Sequence, residues 1–140
     1  MPDKHKKTAV KCLKWFIVFL LAITYFSRTI YNWTLPRVTL GFPERDNFYR
    51  LSENGSGFDH FFYDYVLPTS AIMSNGRDYV FILMEQNGPM GREFVVAREN
   101  VVVLDRWRNR VAVEINVGRW PVVFGSDREL SEGMSVRFYP

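Results

Sequence analysis

Few residues in this chain are of types and spacings that could do chemistry. Asp59, His60 and Asp64 bring two carboxylates and an imidazole into one short stretch, the donor types of a metal site. Zinc takes three or four such ligands from well-spaced positions. These three lie among Phe58, Phe61, Phe62 and Tyr63, and they read as an ordinary surface cluster. Arg106-Trp107-Arg108-Asn109-Arg110 could meet anionic headgroups through its guanidinium groups and indole. Asp105 offsets part of that charge, so the stretch reads as a solvated hairpin tip. Asn87-Gly88-Pro89-Met90-Gly91 bears glycines but lacks the lysine and following helix of a phosphate cradle, and is expected to turn a hairpin. Asn32-Trp33-Thr34 and Asn54-Gly55-Ser56 have the form of glycosylation acceptors, relevant only in a glycosylating secretory pathway. No nucleophile elbow, H-E-x-x-H pair or Walker loop occurs. The expectation is a protein that is not an enzyme, with no catalytic, cofactor-binding or metal residues and no cofactor.

The elements that would position any site follow from charge and apolar patterning. The chain has 140 residues and a net charge of +3, but all five lysines fall within its first fourteen residues, opposed only by Asp3. The other 126 residues hold thirteen arginines and fourteen acids, so the basic character belongs to a short tail. A nucleic-acid partner needs a basic face on the folded part, and this balance argues against one. Cys12 is the single cysteine, which excludes an internal disulfide and a cysteine-based zinc cluster.

Trp15 to Phe26 is uncharged, and from Ala9 to Phe26 only Lys11 and Lys14 interrupt the apolar run. Lysines near a helix end snorkel to the headgroups, and Trp15, Tyr25, Tyr31 and Trp33 would mark the two interfaces. A cleaved signal peptide also fits a basic start and a short apolar core. However, Tyr25-Phe26-Ser27-Arg28-Thr29-Ile30-Tyr31 offers no small-residue cleavage site. The reading is therefore a retained single-pass anchor in the cell membrane. Five lysines before the span against Arg28 and Arg37 after it predict a cytoplasmic N-terminus and an extracytoplasmic remainder.

Leu35-Pro36 should end the helix. From Arg37 to Asp64, turn residues and scattered charges predict a loop-rich linker, with an aromatic cluster of no clean period. That cluster reads either as a cap on a small core or as an exposed patch for a partner or lipid headgroups. Beyond Tyr65 strands dominate. They are Val66 to Met73, Asp78 to Met84, Phe94 to Ala97, Val101 to Leu104, an alternating run from Val111 to Val117, Pro121 to Phe124, and Ser135 to Phe138. Turns are expected at Ser74-Asn75-Gly76, at 86–89 and at 105–109. The predicted fold is mainly β: one transmembrane helix, then a small antiparallel β-barrel or sandwich-like domain. The expected divisions are a basic cytoplasmic tail (1–14), the anchor (15–34), the linker (35–64) and the β-domain (65–140).

Two stretches resemble the HlyD-like periplasmic adaptor (membrane fusion) proteins of bacterial efflux systems. Tyr25-Phe26-Ser27-Arg28-Thr29-Ile30-Tyr31-Asn32-Trp33-Thr34-Leu35-Pro36-Arg37-Val38-Thr39 is similar to the family's exit from the membrane. Val66 to Phe138 resembles the C-terminal membrane-proximal β-domain, through four segments. These are Leu67-Pro68-Thr69-Ser70-Ala71-Ile72, Tyr79-Val80-Phe81-Ile82-Leu83 with Gly91-Arg92-Glu93-Phe94, Val101-Val102-Val103-Leu104-Asp105, and the ending Val122-Val123 with Ser126-Asp127-Arg128-Glu129-Leu130 and Glu132-Gly133-Met134-Ser135-Val136-Arg137. A full adaptor carries a lipoyl-like domain, a helical hairpin and a barrel between these parts, for which the interval from Leu40 to Tyr65 leaves no room.

The resemblance implies a minimal adaptor, a membrane-anchored accessory subunit of an export or efflux transporter that docks its β-domain on the permease. Its partners would be that permease, the lipid bilayer and a second copy of the chain. Ala22, Thr24 and Ser27 are small residues that would allow close contact along the anchor. The alternative is an extracytoplasmic ligand-binding or sensing module, with Phe58, Phe61, Phe62 and Trp107 rimming a barrel mouth.

Overall fold

A computed structural model describes residues 3–89, 91–115 and 120–138. It divides into a helical unit up to Leu35 and a β unit from Pro36 onward. The helix α1 (Asp3–Thr34) starts within the expected tail, so the lysine-rich segment is continuous with the apolar run rather than a separate piece. Its stretch Thr8–Thr34 is 27 residues long and apolar enough to cross a membrane. At 1.5 Å per residue that is roughly 40 Å, more than the ~30 Å of a bilayer's hydrocarbon core. Thr24 and Thr29 donate their hydroxyls to the carbonyls of Leu20 and Tyr25, four residues back, and so carry no unmet polar group into an apolar medium. Pro36 follows the end of α1, as expected from its missing donor.

The rest of the described chain is mainly β. The strands are β1 (Arg37–Gly41), β2 (Glu44–Leu51), β3 (Phe58–Pro68), β4 (Met73–Ser74), β5 (Asp78–Gly88), β6 (Gly91–Asn100), β7 (Val102–Trp107), β8 (Arg110–Glu114), β9 (Val122–Ser126) and β10 (Ser135–Phe138), with a 3₁₀ turn at Thr69–Ala71. Neighbours run β5-β6-β10-β1-β9, and Ile82 pairing with Val122 brings β9 back to β5, closing a five-stranded barrel with β4 on its flank. The second sheet has the order β2-β3-β8-β7.

Three sequence expectations need correction. The segment 35–64 is no linker, since it supplies β1, β2 and most of β3. The pairing is not wholly antiparallel, because β1 runs parallel to β10 through Arg37↔Arg137 and Val38↔Phe138. The run from Val66 to Met73 is not one strand, because Pro68 ends β3 and a 3₁₀ turn separates it from β4. Boundaries shift elsewhere too. The β5–β6 ladder continues to Gly88↔Gly91, so β5 runs on through Gln86, Asn87 and Gly88, which were expected in the turn. The alternating strand ends at Glu114, and Val117 lies outside the described residues.

Burial explains the layers. In β5, Val80, Phe81, Ile82 and Leu83 are all buried, so both faces of the strand are covered. Phe81 and Leu83 join Val38, Val96, Val123 and Val136 inside the barrel. Val80 and Ile82 face outward onto Leu67, Val111 and Val113, which seals the barrel wall against the second sheet. β8 is likewise buried on both faces. Ala112, expected on the outer face, is fully buried beneath Phe48 and Val66. The ring of Phe124 occupies the space a side chain at position 41 would need, which Gly41 leaves open.

Because β1 lies between β9 and β10, a fragment of residues 65–140 will lack a barrel wall. By circular dichroism and amide exchange that fragment is expected to be unfolded, whereas residues 36–140 should fold cooperatively.

Candidate functional site

The second sheet rolls until its edge strands meet. Regular alternation from the Val103↔Val113 pair would set Asp105 opposite Val111, in the apolar layer against the barrel. A bulge between Val103 and Asp105 pairs Asp105 with Ala112 instead and turns its carboxylate to the other face. A second bulge lies in β3, where three steps from Tyr63 to Val66 oppose two steps of β2. It brings Tyr63 and Val66, normally on opposite faces, into one cluster with Phe48 and Ala112. This broken period is why the aromatic run resisted a strand reading.

Asp105 is 7% exposed and fully occupied. It forms an ion pair with Arg50 of β2, accepts a 2.9 Å hydrogen bond from the Tyr63 hydroxyl, and accepts one of 2.7 Å from the Arg106 backbone N–H. A buried charge is tolerated when paired and hydrogen-bonded in this way. Phe48, beneath the pair, lies 5.0 Å from the Tyr63 ring and 5.8 Å from Trp107. Arg110 pairs with Asp46 on the same side of the sheet. These contacts fold the β2–β3 hairpin back over β7 and β8.

The other face of the hairpin is largely open, with Trp107 reaching only Tyr49. Leu51↔Phe58, Tyr49↔His60 and Asn47↔Phe62 are direct cross-strand pairs and so share that face. Leu51, Phe58 and Phe62 are 70%, 63% and 60% exposed. The residues singled out from sequence are thus dispersed. His60 sits edge-on to Tyr49, Asp59 opposes Arg50 in the ladder, and Asp64 pairs with Arg45 at 3.2 Å. Among the described residues no group of three His, Cys, Asp or Glu side chains converges as a metal site would require. Phe58 and Phe62 point away from Phe61, and all three stand in the second sheet, not at a barrel mouth. Trp107 is packed on Phe48 and Tyr49. The Arg106–Arg110 tip is indeed a hairpin turn, and its cations are engaged. Arg108 stacks over Trp107 in a left-handed conformation (φ 55°), Arg106 lies 3.9 Å from Asp78, and Arg110 holds Asp46.

Two open cavities border the barrel. One, of about 290 Å³, lies between Phe42, Val66, Pro68, Arg110 and Phe124. The other, of about 270 Å³, is lined by residues including Met73, Tyr79, Phe81, Phe124 and Arg128. Both fall just below the usual ~300–1,000 Å³ of small-molecule sites. With that geometry in view, the chain was compared with known proteins. No family model, curated protein or solved structure matches it.

Sequence reasoning missed the Arg50–Asp105–Tyr63 cluster, because Asp105 was read as a turn residue. Its available signal was the Asn54-Gly55-Ser56-Gly57 turn with aromatics on both sides, which marks a hairpin able to bring Phe48 against Tyr63.

Removing the guanidinium leaves Asp105 buried with one partner fewer. Arg50→Ala should destabilise the β unit by about 1–3 kcal/mol in denaturant unfolding, and Arg50→Ala/Asp105→Ala by less than the sum of the single changes. The Tyr63 hydroxyl is pushed above its ordinary value by burial first, then by its hydrogen bond to Asp105 and that carboxylate's charge, with Arg50 opposing. The unfolded chain therefore loses this proton at lower pH than the folded one. Its stabilising effect is complete below about pH 10 and declines as pH rises through the higher folded value. Tyr63→Phe should flatten that alkaline decline, as read from unfolding midpoints against pH.

Proposed function

We propose that the chain is a membrane-anchored accessory subunit that docks its β unit on the extracytoplasmic face of an export permease. The observation that carries this reading is how closely the β unit follows the apolar helix along the chain, with its own first residues firmly held. Only Leu35 intervenes between Thr34 and Pro36, whose carbonyl accepts a 2.9 Å hydrogen bond from the Arg137 N–H. One residue on, the Arg37 N–H donates to Asp127 Oδ1 at 2.8 Å, and the Asp127 N–H donates to the Arg37 carbonyl at 3.1 Å. These hydrogen bonds lie within the β unit and fix its first two residues.

A span of that kind raises the effective concentration of the β unit toward any neighbour in the same membrane, so a modest interface suffices. Lysines concentrated before the apolar stretch support an N-terminus in the cytoplasm and a β unit outside it. The permease as partner class follows from the likeness of the 25–39 segment and the strands after Val66 to HlyD-like adaptors, and rests on those residues alone. The small cavities disfavour the ligand-binding alternative.

Crosslinking in the native membrane followed by affinity purification of the intact chain tests the reading. An export permease is expected among the crosslinked partners, and is expected to disappear when residues 36–140 are removed. Recovery of the stably inserted chain with no permease would overturn it.

A further inference from the structure

The outward face of the β2–β3 hairpin is touched within the β unit at Tyr49, by Trp107, and is open at Leu51, Phe58 and Phe62. Its opposite face is spent on Asp105, Trp107, Arg110 and Ala112, whereas Leu51, Phe58 and Phe62 stand together in solvent, with the Tyr49–His60 ring pair between them. A cluster of large apolar side chains at the end of a hairpin marks a contact surface rather than scattered exposure. We propose that this face seats in the interfacial zone of the bilayer, among zwitterionic headgroups, a proposal that rests on the anchored reading above.

Three observations select lipid as the occupant. The β unit follows the helix after a single residue, so under that reading the chain itself keeps it at the membrane. The side chains are phenylalanine, leucine and tyrosine with one histidine, the amphipathic and apolar types that lie well at headgroup depth. Charge then narrows the choice. Residues 44–64 carry five acids against Arg45 and Arg50, and both arginines are already ion-paired. Such a hairpin repels an anionic surface, and a second copy would bring two acidic hairpins together. A zwitterionic surface carries neither penalty.

The test uses the full chain, with Cys12→Ser and Ser56→Cys, labelled at position 56 with an environment-sensitive fluorophore. It is reconstituted alone into phosphatidylcholine vesicles. Position 56 is exposed in the turn joining β2 to β3, beside Leu51 and Phe58. The label is expected to be quenched by lipid-attached nitroxide and shielded from aqueous iodide. Phe58→Ser/Phe62→Ser, at two exposed positions, should raise iodide quenching about threefold or more. An iodide-accessible label in the unsubstituted chain would overturn the proposal. Shielding lost on diluting the protein in lipid would also overturn it, in favour of self-association. An alkaline carbonate wash keeps the two readings apart. Release of the chain would sink the anchored reading, while a retained chain with an exposed label would sink only the seating of the hairpin.

Discussion

Everything in the β unit depends on five residues, Arg37 to Gly41, lying between β9 and β10. Without β1, the C-terminal strand keeps only its pairing with β6, and β9 keeps the single Ile82↔Val122 bridge. The barrel interior would then open along Val38, exposing Val123 and Val136. The same five residues continue directly from the apolar helix. The closure of the core therefore rests on the stretch of chain that follows the helix most closely in sequence.

The second sheet obeys a different logic. Its outer layer is too thin to bury much apolar surface, and it uses directed contacts instead. Phe48 is the single large apolar side chain buried from β2, and the ion pairs Arg50–Asp105 and Arg110–Asp46 fix where the hairpin lies. The first depends on a bulge, since an unbulged β7 would drive the Asp105 carboxylate into Val111 and Val113. A buried carboxylate adds little net stability over an apolar replacement, but strongly disfavours any register that leaves it unpaired. The cluster thus specifies the roll of the sheet more than it stabilises it.

Much of this was legible in the sequence, where local preference and burial agree. The helix stop at Pro36, the β-branched runs at 78–84 and 111–117 and the turn at 74–76 carry strong local signals, whereas the turn expected at 105–109 narrows to 108–109 because β7 runs on to Trp107. What escaped detection was decided by distant contacts. β2 reads Glu-Arg-Asp-Asn-Phe-Tyr-Arg-Leu, poor in strand formers, and is held by Phe48 and by pairing with β3. β1 is short and bracketed by Pro36 and Gly41, and its partners lie some 80 to 100 residues later. Ala112 looked exposed because its cover comes from β2. The aromatic run of β3 was noticed, yet its two functions, cluster and open face, separate only once the bulge is known.

The parallel pairing of Arg37 with Arg137 also bears on the order of events in biosynthesis. A ribosome delivers β1 long before β10 exists, so the barrel cannot close until Phe138 is available. Contacts of such sequence separation fold slowly. During that interval the β5–β6 hairpin is the largest piece that can assemble from neighbouring sequence. A chain truncated near its C-terminus therefore loses far more than a final strand, because it leaves β1 unpaired on one side and the apolar interior open to proteases and aggregation.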